Sequence, residues 1–206
     1  ADIAGGSLHS VIGILAAVIE RQRSGLGQYI DISMTDCVVG LSSMAAAASL
    51  AGQEKQGPEQ SYLNGATFYD YYETQDGRYL SIGSLEPQFL HGLAQILELP
   101  IVAEKGASLV TEDRQVVKQA IKDKIKTQDF ATWNAIFQQQ DVCVEPVLKL
   151  DEALDSQLAK DRAWVVSVPL QEGSTKSEQQ LACPIKFSRS KIRYEFIGKP
   201  LGFDSL

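Results

Sequence analysis

The sequence predicts an α/β protein, because segments with helical and with strand-like spacing of apolar residues follow one another along its 206 residues. Residues 7–22 place apolar side chains at helical spacing. Residues 67–73 and 78–83 carry strand-favouring aromatic and aliphatic side chains on either side of Asp76-Gly77, a typical hairpin turn. The composition, with 44% apolar and 22% charged residues, is that of a globular protein.

Composition and charge exclude several classes of function. The 26 acidic and 19 basic side chains give a formal net charge of −7, so nucleic acid is not expected as a partner. No apolar run approaches the roughly 20 residues of a membrane span, so no membrane partner is expected either. Three widely spaced cysteines fit a reducing compartment, and we expect a cytoplasmic protein without disulfides.

The first 50 residues predict a helix, a strand and a second helix. The helix over 7–22 is apolar nearly all round and is therefore expected to be buried. A short alternating strand over 28–33 follows, and then an apolar helix over 37–50 with Thr35 or Asp36 as its cap. A polar stretch over 52–61 predicts a loop.

The hairpin is followed by mostly helical segments and an extended tail. A helix is expected to begin at Glu86-Pro87, because proline suits the first helical position, and to end at Leu97. The later predicted elements are helices over 112–126 and 129–140 with Thr111 and Thr127 as candidate caps, a strand over 142–148 with Pro146 at an edge or end, short helical pieces over 151–162, and extended segments over 164–170 and 185–196.

Two stretches could carry chemistry at helix starts. Asp2 precedes Gly5 and Gly6 at the start of the first helix, where a carboxylate meets unpaired N–H groups and glycines allow a ligand to approach the backbone. Glu86 stands where a strand passes into a helix, a common place for functional residues. For both acids the alternative is a purely structural role at the helix start.

A third candidate stretch is the loop that carries Asn64, Gly65 and Tyr69 ahead of the hairpin. Its alternative interpretation is a plain connection into a strand, with Phe68 in the core. With only His9 and His91 in the chain, and neither at metal-ligand spacing from a cysteine pair, no metal site is expected.

Taken together and in this order, the motifs resemble the class III CoA-transferase family, which includes the α-methylacyl-CoA racemases. The resemblance runs from Ala1 to about Leu150 and continues more weakly over 183–188. The motifs that carry it are Asp2-x-x-Gly5-Gly6, Gly27–Met34, Asn64–Tyr69, Asp76–Tyr79 and Glu86–Phe89.

The resemblance implies a fold and a domain organisation. Members are interlocked homodimers with a Rossmann-like large domain that binds CoA and a small α/β domain that closes the site. Residues 1–35 would then belong to the large domain, 36–65 to a linker helix and loop, 66–150 to the small domain with its antiparallel hairpin, and 151–206 to a return linker. The substrate is an acyl-CoA, and no cofactor beyond CoA itself is expected.

The resemblance also implies roles for single residues. Asp2 matches the family's catalytic aspartate, and Glu86 matches the racemase position that hydrogen-bonds a catalytic histidine. Gly5, Gly6, Asn64, Gly65 and Tyr69 would contact the substrate. Thr67 departs from the proline that racemases often have at that position.

Three functions remain open. Glu86 favours a racemase that exchanges the α-proton of a 2-methylacyl-CoA. The first alternative is a CoA transferase that works through an aspartyl-CoA intermediate, and the second is a catalytically inactive fragment or structural subunit. In the family, the catalytic histidine and most CoA-holding residues precede the aspartate, so we expect this chain to be a C-terminal portion that turns over no substrate alone.

Overall fold

The computed structural model describes residues 2–52, 57 and 60–199, and the chain forms two compact units, Ala1–Ser61 and Tyr62–Leu206. The predicted loop over 52–61 lies partly outside the described residues. The predicted division at 35/36, 65/66 and 150/151 stays a prediction.

The first unit begins with one long helical run. A π-helical segment, Asp2–Ser7, passes into α1, Leu8–Ser24, so the helix predicted over 7–22 is confirmed. Arg21 and Arg23 lie in its last turn, where cations complement the helix dipole. Gly25 ends it in the left-handed region at φ 77°, and its N–H donates to the Arg21 carbonyl.

After α1 the prediction is only partly correct. The strand expected over 28–33 does not form, since the described residues of this unit supply no neighbouring strand for a ladder. The expected single helix is two helices, α2, Met34–Leu41, and α3, Ser43–Leu50. The cap of α2 is Ser33, whose hydroxyl accepts from the Asp36 N–H at 3.3 Å, so the expected cap at Thr35 or Asp36 is wrong.

The helix α1 is far more exposed than its sequence suggests. It contains no buried residue, and apolar side chains such as Ile12 and Leu15 are about 60% exposed, at 61% and 57%. The expectation of burial nearly all round is therefore wrong within this chain, because too little of the chain packs against the helix to cover it. Gly13 marks the packed side, since a Cβ there would lie 3.3 Å from Ile30 and Ile32.

The same run changes one expectation about membranes. Asp2–Ser24 spans 23 residues and is long and apolar enough, by length and composition alone, to cross a bilayer. The expectation that no apolar run approaches that length is therefore wrong. Core helices of soluble proteins also meet this criterion, so the absence of a membrane partner stays a prediction.

The second unit contains a three-stranded antiparallel sheet of β1, Asp70–Glu73, β2, Tyr79–Ile82, and β3, Val144–Pro146, in the order β1-β2-β3. The predicted hairpin is confirmed. Gly77 adopts φ 78°, and its N–H donates to the Thr74 carbonyl at 3.1 Å. Pro146 ends β3 at the edge of the sheet, as its missing N–H predicts.

Four helices cover this sheet: α4, Pro87–Leu97, α5, Pro100–Lys105, α6, Thr111–Ile125, and α7, Phe130–Phe137. The predicted start of α4 at Pro87 is confirmed, whereas α5 was not expected. Thr111 and Thr127 are not the caps. The N-cap of α6 is Val110, and the N-cap of α7 is Asp129, whose carboxylate accepts from the Thr132 N–H at 2.8 Å.

One hydrophobic core joins the sheet to these helices. Its fully buried members include Phe68, Leu80, Leu93, Ile121 and Trp133. The prediction that Phe68 is a core residue is confirmed. This core fixes the end of β2 and the start of α4, where Glu86 lies.

The chain ends with two short helices and a hairpin. These elements are α8, Leu150–Asp155, α9, Gln157–Asp161, β4, Val165–Pro169, and β5, Ser177–Leu181. The first two and β4 match the predictions, whereas the exposed and polar β5 gives no strand pattern in the sequence. The predicted extended segment over 185–196 has no regular secondary structure.

Candidate functional site

Asp2 lies in the first turn of the π-helical segment and is exposed. The first N–H groups of a helical run have no acceptor within the helix, so a carboxylate here lies in a favourable field. Side chains from the next turn hold the backbone around it. The Ser7 hydroxyl donates to the Asp2 carbonyl at 3.2 Å, and His9 Nδ1 donates to the Ala4 carbonyl at 2.6 Å.

The two glycines after Asp2 allow close packing against α2. Gly5 is buried, and a Cβ there would lie 3.1 Å from Val38 Cγ2 and 3.3 Å from the Met34 carbonyl oxygen. A Cβ on Gly6 would lie 3.4 Å from Met34 Cγ. This packing explains both glycines without a ligand, and their predicted contact with substrate stays a prediction.

Glu86 occupies the N-cap position of α4 with extended backbone angles, φ −68° and ψ 143°. Its carboxylate makes no capping hydrogen bond and is exposed. The alternative of a purely structural acid at the helix start, favoured by the helix dipole, stays open, because a dipole interaction needs no capping hydrogen bond. The Glu86 carboxylate remains available to another group.

Glu86 lies beside Cys143, a neighbour that the sequence did not indicate. Cys143 is exposed, but partial desolvation by the atoms around it raises the pKa of its thiol. The nearby carboxylate of Glu86 raises this pKa further, followed by those of Asp141 and Glu145. The thiol is therefore held in its protonated form, which makes it a weak nucleophile. Cys143 also adopts φ 52°, an uncommon conformation for a residue with a side chain.

Backbone and side-chain hydrogen bonds fix this arrangement, which we call the Gly83 junction and define as Tyr69, Gly83, Ser84, Glu86 and Cys143. The Gly83 N–H donates to the Cys143 carbonyl at 2.9 Å, and the buried Ser84 hydroxyl donates to the Val142 carbonyl. The Tyr69 ring packs on Gly83, where a Cβ would lie 3.2 Å from Cε2. The structure thus brings two predicted site residues, Tyr69 and Glu86, to one junction.

Asn64 and Gly65 lie in a loop over 62–69, which we call the Asn64 loop. Asn64 is exposed, and Gly65 adopts φ 86°, where a side chain would be strained. Thr67 is buried, and its hydroxyl donates to the Tyr62 carbonyl at 2.9 Å and accepts from the Tyr69 N–H at 3.1 Å. The loop therefore has internal hydrogen bonds that use this threonine.

Two basic residues of α6 hold the Asn64 loop from outside. Lys118 Nζ donates to the Gly65 carbonyl at 2.9 Å and forms an ion pair with Asp70. The Arg114 guanidinium lies 5.7 Å from the centre of the Tyr62 ring, within cation–π range. Sequence reasoning did not identify either residue, because they lie about 50 positions from the loop and follow an ordinary amphipathic pattern.

The predicted site residues are divided between the units. Asp2, Gly5 and Gly6 belong to the first, whereas Asn64, Gly65, Tyr69 and Glu86 belong to the second. The part of the chain that the structure describes contains no group of three or more His, Cys, Asp or Glu side chains able to hold a metal ion.

Comparison with known proteins gives a consistent family. The family model described as CoA-transferase family III matches residues 1–205. Alpha-methylacyl-CoA racemase of Mus musculus is 38% identical over 81% of this chain, and the Homo sapiens protein of that name is 32% identical over 85%. Succinyl-CoA:mesaconate CoA-transferase of Haloarcula hispanica is 26% identical over 88%. These matches cover only 44% to 46% of the relatives, so the chain spans less than half of their length.

Solved structures show the same fold. A CAIB/BAIF family protein from Brucella suis superposes with a TM-score of 0.69 at 23% identity, over 95% of this chain and 50% of that one. Rv3272 from M. tuberculosis superposes with a TM-score of 0.68 at 16% identity, over 90% of this chain and 48% of that one. The predicted α/β class is confirmed.

Proposed function

This chain belongs to CoA-transferase family III, and we propose on that basis that it contributes to an enzyme acting on acyl-CoA thioesters. The reaction that we propose is exchange of the α-proton of a 2-methylacyl-CoA, with inversion at that carbon. The observation that carries this choice is the 38% identity to a mouse alpha-methylacyl-CoA racemase, against 26% to a CoA-transferase.

In the proposed reaction, Asp2 takes the proton from the α-carbon. The C–H bond breaks, its electron pair passes into the thioester as an enolate, and the proton moves to the carboxylate. A proton added from the opposite face restores the thioester with inverted configuration. The position of Asp2 at a helix N-terminus suits a carboxylate that must remain charged until the proton is transferred.

We propose that neither histidine of this chain is the second base. His9 Nδ1 donates to the Ala4 carbonyl, and His91 Nδ1 donates to the Pro87 carbonyl at 2.6 Å, so each ring is engaged by its own helix. Glu86 would orient a histidine supplied from elsewhere, which is compatible with its exposed and uncapped carboxylate. The 206 residues alone are then expected to be inactive.

The second candidate is CoA transfer. The similarity to succinyl-CoA:mesaconate CoA-transferase favours it, and the same Asp2 carboxylate would attack the thioester carbonyl instead of the α-hydrogen. The acyl group would pass to Asp2 as an anhydride while the CoA thiolate leaves. The thiolate would then attack the aspartyl carbonyl of this anhydride, which yields an aspartyl-CoA thioester and releases the acyl group as a carboxylate. The third candidate is a structural subunit without turnover, favoured by the coverage of less than half of each relative.

An isotope experiment separates the three. The polypeptide that carries these residues, with any segment encoded before Ala1, is incubated in D2O with a single enantiomer of a 2-methylacyl-CoA. A racemase incorporates one solvent deuteron at the α-carbon while optical purity is lost. A transferase incorporates none, and hydroxylamine traps an acyl group on Asp2. A structural subunit gives neither result.

The variant Asp2→Asn tests the assigned base. It is expected to lose turnover while keeping its thermal unfolding temperature, because the carboxylate is exposed. Asp36→Asn is the matched control, since Asp36 is also an exposed acid in the first turn of a helix of the same unit. Normal exchange in Asp2→Asn would refute the assignment.

A further inference from the structure

The turn between β2 and α4 is held by a buried serine. Ser84 is fully buried, and its hydroxyl donates to the Val142 carbonyl, a residue of the segment that precedes β3. The Leu85 N–H donates to the Gly83 carbonyl at 2.8 Å, so the chain turns tightly around this serine. Glu86 follows directly, and its backbone therefore begins where the turn ends.

The serine occupies a position that suits an apolar side chain. Leu80, Ile82 and Ser84 alternate along the chain and are all buried, so Ser84 continues the series of β2 side chains that face the core. A buried hydroxyl carries a desolvation cost unless it is hydrogen-bonded, and an apolar residue here would avoid that cost. The bond to Val142, which joins positions 58 apart in the sequence, is what the hydroxyl provides instead.

The helix α4 packs on the same residue. A Cβ on Gly92 would lie 2.7 Å from Val142 Cγ1, closer than real Cβ atoms approach, so the helix and this valine are in tight contact. Val142 thus contacts the turn through its carbonyl and α4 through its side chain. Together these contacts fix the first turn of α4 relative to Cys143, the next residue along the chain.

The position of the Glu86 carboxylate depends on this backbone. In the described part of the chain, no hydrogen bond or ion pair holds that carboxylate. Pro87 restricts the residue before it to extended backbone, and Glu86 accordingly has φ −68° and ψ 143°. Because this backbone is restricted, a displacement of the turn is passed on to the Glu86 side chain.

We infer that Ser84 is a positioning residue for Glu86. By binding the Val142 carbonyl, its hydroxyl fixes the turn and with it the place from which the Glu86 carboxylate extends. The inference rests on the proposed function, in which Glu86 orients a histidine supplied from elsewhere. A misplacement of about 1 Å can lower a rate by about 100-fold, so a buried serine can act on turnover without touching the substrate.

The thiol of Cys143 reports the position of Glu86 without any turnover. The Glu86 carboxylate disfavours the thiolate, as do those of Asp141 and Glu145. Glu86→Gln should therefore speed the labelling of Cys143 by iodoacetamide. The rate with Gln at position 86 divided by the rate with Glu there, which we call the labelling ratio, measures how strongly the Glu86 carboxylate acts on the thiol.

Ser84→Ala is expected to lower the labelling ratio towards unity, because the carboxylate is no longer held beside the thiol. A direct effect of this substitution on Cys143 cancels, since both rates are measured in the same background. Thr74→Val is the matched control. It also removes only a hydroxyl from a fully buried residue, but at the turn end of the β1–β2 hairpin, and should leave the ratio unchanged.

A second variant keeps the test decisive if Ser84→Ala does not fold. Ser84→Cys has a similar volume and a weaker donor, and should lower the labelling ratio in part. Peptide mass separates labelling at position 84 from labelling of Cys143, and circular dichroism confirms the fold of each variant. An unchanged ratio in the folded Ser84 variants, or an equal change in Thr74→Val, would overturn the inference.

Kinetics test the consequence for the reaction. In the active polypeptide, Ser84→Ala should lower kcat roughly 10- to 100-fold and change the KM for acyl-CoA less than about twofold. Thr74→Val should leave both constants unchanged. An unchanged kcat in Ser84→Ala would refute the role in the reaction. If the wild-type polypeptide shows no exchange, the proposed function fails, yet the labelling ratio still decides whether Ser84 positions Glu86, so the two failures are distinguishable.

Discussion

Replacement of Lys118 by methionine should loosen the Asn64 loop without disturbing the rest of the second unit. The ammonium group of Lys118 contacts two groups of this region. Its Nζ lies 2.9 Å from the Gly65 carbonyl oxygen and 2.5 Å from Asp70 Oδ2. Methionine keeps the unbranched stem of the side chain and its helix propensity, so α6 should be retained. Only the charge and its three donors are removed.

The expected magnitude follows from the exposure of these groups. The Lys118 and Asp70 side chains are 32% and 31% exposed, so their ion pair is partly screened and contributes at most about 1 kcal/mol. The hydrogen bond to Gly65 adds about 0.5–1.5 kcal/mol. A total of about 1–2 kcal/mol lowers the free energy of local opening and should speed amide exchange in the loop roughly 5- to 30-fold.

Hydrogen exchange read by mass spectrometry on a peptide spanning 62–69 measures this effect. Lys122→Met is the matched control, because Lys122 lies one turn further along α6, is exposed and should leave the loop unchanged. Lys118→Arg should restore most of the protection. Exchange that is equal in Lys118→Met and Lys122→Met would refute the argument that α6 holds this loop.

Three other perturbations follow from the geometry. Glu86→Gln should lower the pKa of Cys143, because it removes a carboxylate that disfavours the thiolate, and iodoacetamide labelling of this cysteine at pH 8.5, followed by peptide mass, should become faster. Hydrogen bonds from the Thr74 hydroxyl and the Phe130 N–H lower the pKa of Asp76. The stabilising contribution of Asp76 is therefore complete above the unfolded pKa of about 4 and is lost as the pH falls through the lower native pKa. Asp76→Asn should make the free energy of unfolding, measured in urea, fall less steeply as the pH is lowered below about 4. Gly5→Ala should destabilise the first unit by about 1–3 kcal/mol, seen as a lower thermal midpoint, because Val38 or α2 must shift.

Each of these perturbations has a control in the same chain. Glu112→Gln removes an exposed first-turn acid of α6 and should leave Cys143 labelling unchanged. Asp151→Asn should not alter how the free energy of unfolding falls at acid pH. If Asp76→Asn leaves this dependence unaltered as well, Asp76 does not stabilise the fold through its lowered pKa. Gly27→Ala meets no atom within 4 Å and should be neutral or slightly stabilising. If Gly5→Ala changes the thermal midpoint no more than Gly27→Ala does, close packing against α2 does not require glycine at position 5.

The parts of the fold that the sequence predicted depend on local chemistry. Asp76-Gly77 predicted a turn because glycine accepts the positive φ of that position, and Pro87 predicted the start of α4 because proline suits the first helical turn. Predictions of N-cap residues were less successful. Several hydroxyl or acidic residues lie close together near each helix start, and tertiary packing decides at which of them the helix begins. Ser33 is the cap in place of the predicted Thr35 or Asp36, and Asp129 is the cap in place of the predicted Thr127.

The candidate site shows the same division. Asp2, Glu86 and Tyr69 were each found from a motif that spans only a few consecutive residues. The sequence alone was therefore enough to single them out. Cys143 was missed because it is 57 positions from Glu86 and its left-handed backbone has no signal in a residue other than glycine. Lys118 was missed for a similar reason, since a lysine on an amphipathic helix is ordinarily a solvated residue.

The sequence by itself thus determined the class of elements, the hairpin turn and the acids at two helix starts, because these depend on periods of two to four residues. The tertiary structure alone decided that the Tyr69 ring packs on Gly83, that α6 holds the Asn64 loop, and that the Tyr194 hydroxyl accepts a hydrogen bond from the Cys183 N–H. It also decided that α1 is exposed within this chain. The physical reason is that such contacts join residues far apart in sequence, and only the path of the chain brings them within hydrogen-bond distance.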